Sequence, residues 1–238
     1  MSVFESLLTS GIKALGLPPD AAVVALMQKY YAFLTERNDV INLTAVTGEE
    51  DAARLHFLDS LALLNVCNFE GKSVIDIGSG AGFPGLPLKL MCPSITLTLL
   101  DAQKKRVGFL SELCNELGQV VSCVHARAEE ACAVGASLRE SFDYALSRAV
   151  AELRTLCELC LPPIVLGGAF VAMKSVNSDE EIEAAKSAIN VLGGEIEAVT
   201  DYEIPGTDIL HRAVVIRKVS ATPDKYPRRF AKIQKTPL

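Results

Sequence analysis

The stretch Val74-Ile75-Asp76-Ile77-Gly78-Ser79-Gly80-Ala81-Gly82-Phe83-Pro84-Gly85 constrains this chain more than any other. Val74, Ile75 and Ile77 predict a short buried strand, and the glycines at every second position let the backbone turn sharply and approach a ligand with no side chain between. Pro84 suits the first turn of a following helix. Strand, glycine turn and helix in that order present free N–H groups and a partial positive charge at the carboxyl end of a parallel strand, where nucleotide-like ligands sit in open α/β sheets. The stretch is therefore read as a cofactor-binding turn.

Gly80, Gly82 and Gly85 satisfy G-x-G-x-x-G, and Asp101 stands near the distance at which a dinucleotide fold places its ribose-binding acid. A nicotinamide oxidoreductase is thus one alternative. Against it stands Asp76, a carboxylate close to a turn that would have to receive an anionic pyrophosphate. S-adenosylmethionine, with a sulfonium, an ammonium group and no phosphate, reverses that objection, so the D-x-G-x-G order from Asp76 to Gly80 favours a methyl donor, with Asp76 expected at the mouth of the turn. A P-loop is excluded, because Gly71-Lys72-Ser73 has Val66 where the first glycine belongs and precedes the strand.

With 238 residues, half of them hydrophobic, the chain can bury a sizeable core. No apolar run reaches transmembrane length and Met1 to Ser10 lacks the pattern of a signal peptide, so a cytoplasmic protein with no membrane partner is expected. The seven cysteines show no paired metal spacing. Cys157 and Cys160 share a predicted helical face with Leu153, Leu156 and Leu161, which reads as buried thiols, and no metal is expected. From Arg212 onward the chain carries a net +7, so the remainder must carry −13 to reach the whole-chain −6. Such a tail is either the footprint of a phosphate-rich partner or a solubilising terminus.

Along the chain, residues 1–70 read as a helical cap, 71–220 as a Rossmann-like domain and 221–238 as a basic extension. Asp20 is expected to cap a helix with Val23, Val24, Leu26, Met27, Tyr30, Tyr31 and Leu34 inward, and a second helix runs from Gly48 to Val66. On that helix His56, Asp59 and Ser60 lie at i, i+3 and i+4, on one face. Local backbone hydrogen bonds from Asp59 and Ser60 and a boundary role for His56 account for them without any function. After Gly71 strands and helices alternate. Asp101 ends the second strand, as an acceptor for two ribose hydroxyls or a cap for the next helix, and the ribose reading alone explains its distance from the glycine turn. The third strand leads to Arg127-Ala128-Glu129-Glu130, at the wall of an adenine site or the start of a helix. The fourth delivers Ser147-Arg148-Ala149; Arg148 pairs with Glu152 four residues on, or holds the methionine carboxylate or an RNA phosphate. The last two strands, joined through Pro205-Gly206, suggest an antiparallel hairpin at the sheet edge. Parallel strands closed by such a hairpin make the plan of an α/β, class I S-adenosylmethionine-dependent methyltransferase.

Over almost its whole length the chain resembles the bacterial family of 16S rRNA 7-methylguanosine methyltransferases called RsmG or GidB. The carriers are Asn42-Leu43-Thr44, His56 with Asp59-Ser60, the glycine turn from Asp76 to Gly85, Leu100-Asp101, Arg127-Ala128-Glu129-Glu130, Ser147-Arg148-Ala149 and Tyr226-Pro227-Arg228-Arg229. The resemblance implies an S-adenosylmethionine pocket using Gly78, Phe83, Asp101, Ala128, Glu129 and Arg148, and methylation of guanine 527 in 16S rRNA, naked or within a small-subunit assembly intermediate. It draws His56 and Asp59, with Arg148, toward a catalytic role. Two departures are the tail after Arg229, less rich in lysine and glycine, and His211-Arg212 in place of a more acidic turn. A methyltransferase acting on another RNA or a small molecule is the alternative. Chemistry at guanine N7 fits what the sequence lacks: that nitrogen carries no proton, so alignment rather than a general base is needed.

Overall fold

The alternation of apolar strands with amphipathic helices produces a doubly wound sheet, seen in a computed structural model that describes residues 2–148 and 151–238. Ala149, the last member of the Ser147-Arg148-Ala149 motif, lies outside the described residues. The chain opens with α1 (Val3–Ala14), closed at its start by a reciprocal capping box between Ser2 and Glu5. Next comes α2 (Ala21–Ile41), whose first turn is capped by Asp20 through a 2.7 Å bond from Ala22 N. The predicted second helix is four pieces: α3 (Glu49–Ala52), a π-helical turn (Ala53–Leu58), α4 (Asp59–Ala62) and a 3-10 turn (Leu63–Asn65).

Then follow β1 (Ser73–Ile77), α5 (Gly85–Met91), β2 (Thr96–Asp101), α6 (Lys104–Glu116), β3 (Ser122–His125) and α7 (Ala128–Ala131). The second half runs through β4 (Phe142–Arg148), α8 (Leu153–Cys160), β5 (Ile164–Ser175), α9 (Asp179–Val191), β6 (Gly194–Glu203), β7 (Leu210–Lys218) and α10 (Phe230–Lys235). The strand order is β3-β2-β1-β4-β5-β7-β6. Pairing is parallel from β3 to β5 and antiparallel on both sides of β7. Chain direction across the sheet reverses at β1, so the crevice beyond the carboxyl ends of β1 and β4 is where a ligand is received.

The closing hairpin is at the edge as expected, but its second strand is internal. Ala213 to Ile216 are buried without alternation, whereas β6 alternates and exposes Val199 and its acidic residues. A continuous apolar run suits a strand covered on both faces, and an alternating charged one suits an edge. Strand parity divides the core. Val74 and Leu99 face Tyr30, Phe57 and Leu110, while Ile75 and Ile77 face Leu153, Cys157 and Phe170. Cys157 and Cys160 are fully buried thiols on that second face. No helix among the described residues is long and apolar enough to cross a membrane.

The basic extension folds back onto the body. Arg139 donates to the carbonyls of Thr222 (2.7 Å) and Tyr226 (2.9 Å). Glu158, fully buried on α8, accepts from the Arg228 backbone N–H at 2.8 Å and from its guanidinium Nη2 at 2.6 Å. Ile233 of α10 is wholly buried against the same face. Arg228→Met should strand the Glu158 charge and cost about 3 kcal/mol in urea unfolding, and Glu158→Leu added to it should restore much of the loss. Additive losses in the double variant would show that the ion pair is not what holds the extension.

Candidate active site

The glycine turn is held from three sides. Gly78 and Ser79 N–H groups donate to Leu100 O on the neighbouring strand, at 2.8 and 3.2 Å. Gly78, Gly80 and Gly82 have φ of +72°, +57° and +101°, a region other residues rarely adopt. Behind the turn the buried Tyr30 hydroxyl donates to Ala81 O at 2.5 Å, and a Cβ at Gly82 would stand 2.6 Å from the Tyr30 hydroxyl oxygen. The Tyr30 ring stacks on Phe83 at 5.0 Å, and Phe83 carries the His56 ring at 4.6 Å on its surface. Tyr30 thus links α2 to the turn and the turn to His56.

Asp76 is placed differently from expectation. It shares strand parity with Val74, so its side chain enters the core under the turn instead of standing at the mouth. One oxygen accepts from Gly85 N at 2.8 Å, while Oδ1 has no partner. Burial pushes the carboxyl up to about 7, offset in part by the Gly85 bond. Asp76 therefore fastens the start of α5. The negative charge at the ligand cavity belongs to Asp101, which accepts from Gly80 N (3.0 Å) and Gln103 N (2.8 Å). Asp101 lines the central cavity, and by accepting from Gln103 N it shapes the approach to α6 without capping it, since the N-cap residue is Gln103 and the first turn has no side-chain cap.

Three cavities adjoin along the carboxyl ends of the strands. The central one, about 410 Å³, is lined by Gly78, Gly80 and Asp101 and by Thr44, with His56 and Arg148 both packed on Phe83 in its wall. A narrower one of about 150 Å³ shares Gly78 and Ala102 with it and is walled by Leu100, Ala128, Glu129 and Phe230. The third, about 400 Å³, shares His56 and Arg148 with the central cavity and is lined further by Leu55, Met173, Lys174 and His211. A side-chain-free turn, a fixed acidic acceptor and an apolar slot fit an adenosyl group with a cationic end, the donor expected from the sequence.

The wall between the two larger cavities is an ion-pair network. Asp59, 1% exposed in its side chain, accepts from Arg148 Nη1 at 3.1 Å, Tyr202 OH at 2.9 Å and His211 Nδ1 at 2.8 Å. Arg148 also donates to Leu55 O at 2.9 Å and lies 3.2 Å from His56 Nδ1. Its partner is Asp59, from the helical region, and Glu152 instead meets Arg154. Burial first, and the Arg148 charge second, push the His56 imidazole down to about 4, so it is neutral at pH 7. His56 Nδ1 lies 3.2 Å from both Arg148 Nη2 and Leu55 O, and Nε2 lies 2.8 Å from Thr44 Oγ1, so both ring nitrogens are engaged. His211 is shifted upward, chiefly by its bond to Asp59.

All the predicted site residues except Asp76 and Ser60 line these cavities: Gly78, Gly80, Phe83, Asp101, Ala128, Glu129, Arg148, His56 and Asp59. Ser60 donates to His56 O, the local bond expected of it. Four residues that line or support these cavities escaped the sequence reading of the site. Tyr30 and Tyr202 read as core or hairpin residues, and Phe230 as part of a tail. Asn38 clamps the Asn42-Leu43-Thr44 loop, accepting from Leu43 and Thr44 N–H groups at 2.8 and 2.9 Å. Only the adjacency of Asn38 to that loop carried any signal.

His56 leaves a thermodynamic signature. Its unfolded form takes a proton near pH 6.5 and its folded form only near 4, so the stability it confers is complete above pH 6.5 and is lost as pH falls toward 4. Between pH 7 and 4 the wild-type protein should lose on the order of 3 kcal/mol more than His56→Gln in urea unfolding. Parallel pH profiles for the two would refute a neutral buried imidazole.

Residues 23–209 match the GidB family, described as rRNA small subunit methyltransferase G. The ribosomal RNA small subunit methyltransferase G of Pelotomaculum thermopropionicum is 42% identical over 242 residues, covering 100% of both chains. Its counterpart in Alkaliphilus oremlandii is 45% identical over 240 residues, covering 98% of both. Among solved structures, a methyltransferase from Pyrococcus furiosus superposes with a TM-score of 0.55 at 11% identity, over 82% of this chain and 98% of that one. A SAM dependent methyltransferase from Aquifex aeolicus gives 0.53 at 17%, over 71% and 93%. These two likenesses concern the fold alone, that of class I methyltransferases, while the sequence relationships run the length of the chain: it belongs to the GidB family of small-subunit rRNA methyltransferases.

Proposed function

We propose that this protein transfers the methyl group of S-adenosylmethionine to N7 of a guanine in small-subunit rRNA, guanine 527 of 16S rRNA in RNA numbering. The observation that carries the reading is the pair of cavities meeting at His56 and Arg148, one built on the glycine turn and the other open beside it. When bound, S-adenosylmethionine supplies an electrophilic methyl on a sulfonium. Asp101 would accept the ribose hydroxyls, Ala128 and Leu100 would bracket the adenine, and the Arg148 end would take the methionine group. Leu55 and Met173 offer apolar faces for the acceptor base in the neighbouring cavity. His56, neutral and engaged on both ring nitrogens, holds this wall and takes no proton, in keeping with a nucleophile that has none to lose. Asp59, which lines the neighbouring cavity beside Arg148, would offset positive charge gained by the base.

Labelled S-adenosylmethionine incubated with 16S rRNA, and separately with small subunits, from a strain lacking the modification tests the reading. Label at one position as 7-methylguanosine supports it; donor binding with no label on either form would move the acceptor elsewhere. Arg148→Lys keeps the charge but loses the planar fork shared among Asp59, Leu55 O and His56. It should lower single-turnover transfer at least tenfold while leaving the pH profile unchanged. Unaltered donor affinity together with unaltered transfer would remove Arg148 from the machinery.

A further inference from the structure

By its charge the C-terminal extension is either the footprint of a phosphate-rich partner or a solubilising terminus. One of its apolar residues stands at the donor site. Phe230, the first residue of α10, lines the narrow cavity opposite Ile77, Leu100 and Ala128. That cavity shares Gly78 with the central one, so a ligand held on the glycine turn can reach it. Its walls are almost entirely apolar, as a flat heteroaromatic base requires.

The ring is held firmly. The Arg127 guanidinium carbon lies 4.9 Å from its centroid, and Arg127 Nε donates to Glu129 Oε1 at 2.9 Å, so the cation packed on Phe230 is anchored by the acid at the cavity wall. On either side of Phe230 the extension is pinned by the Arg228–Glu158 pair and by buried Ile233. We propose that Phe230 is a donor-binding residue: the C-terminal extension closes the adenine end of the cofactor site, and its aromatic ring supplies a wall for the base. The proposal rests on the donor reading of the central cavity.

The chain contains no tryptophan, which makes the test direct. Phe230→Trp places the sole indole at the cavity, and Val199→Trp places one on the exposed edge strand β6 as a control. Titration with S-adenosylhomocysteine should change the Phe230→Trp emission saturably, with a midpoint equal to the calorimetric Kd of that variant, and leave the control unchanged. Phe230→Ala should bind S-adenosylhomocysteine roughly tenfold more weakly, the scale of one base–aromatic contact. It should bind 5′-methylthioadenosine, which lacks the amino-acid end, more weakly by the same factor. An indole blind to a ligand that calorimetry shows bound would overturn the proposal, as would an unchanged Kd for Phe230→Ala or a loss confined to S-adenosylhomocysteine. Wild-type protein giving no heat with S-adenosylhomocysteine would remove the donor reading itself, and the proposal with it.

Discussion

Asp59 is a charge enclosed by protein, and a carboxylate in that position is tolerated only when donors surround it. They come from three separate parts of the sheet: Arg148 at the end of β4, Tyr202 on β6 and His211 on β7. Since Asp59 itself begins α4, the one side chain joins the N-terminal helices to the parallel strands and to the antiparallel hairpin. The requirement to satisfy it dictates where Arg148 points, and Arg148 in turn forms the partition between donor and acceptor cavities. The stability of the fold and the shape of the site therefore depend on the same ion.

What the sequence made legible is what local rules govern. Period-2 and period-3.6 patterns located the sheet strands and the helices between them, though not α10 in the extension, and the glycine turn with Asp101 followed from spacing along consecutive elements. Side-chain direction is where that reasoning stops. Asp76 is adjacent to the turn in sequence, yet strand parity sends it into the core, so proximity along the chain was mistaken for proximity to the ligand. Tyr30, Tyr202 and Phe230 reach the site across more than fifty residues of chain or from elements whose packing no pattern announces.

Charge counting shows the same division. The tail's +7 is real, but four of its eight cations are committed internally. Arg212 binds Asp201 and Asp179, Arg217 binds Glu197, Arg228 binds Glu158, and Lys218 is buried against Leu161 O. Lys225, Arg229, Lys232 and Lys235 are the exposed remainder. Three of these stand on or beside α10, the element that carries Phe230, so the cations available to a polyanion are concentrated next to the donor cavity rather than spread along a flexible arm.

The π-helical turn explains why His56 and Asp59 can act together. In a regular α-helix the Asp59 N–H would donate to Leu55 O, four residues back. Here it donates to Arg54 O, five back, and Leu55 O instead accepts Arg148 Nη1 at 2.9 Å. The wider turn thus presents a main-chain acceptor beside the Asp59 carboxylate and the His56 ring. One guanidinium, with its donors in a plane, meets all three. An α-helical wheel places His56 and Asp59 on one face correctly but leaves the Leu55 carbonyl inside the helix, and with it the third contact that fixes Arg148. The extra residue in the turn is a local loss of helical regularity that completes the arginine's coordination.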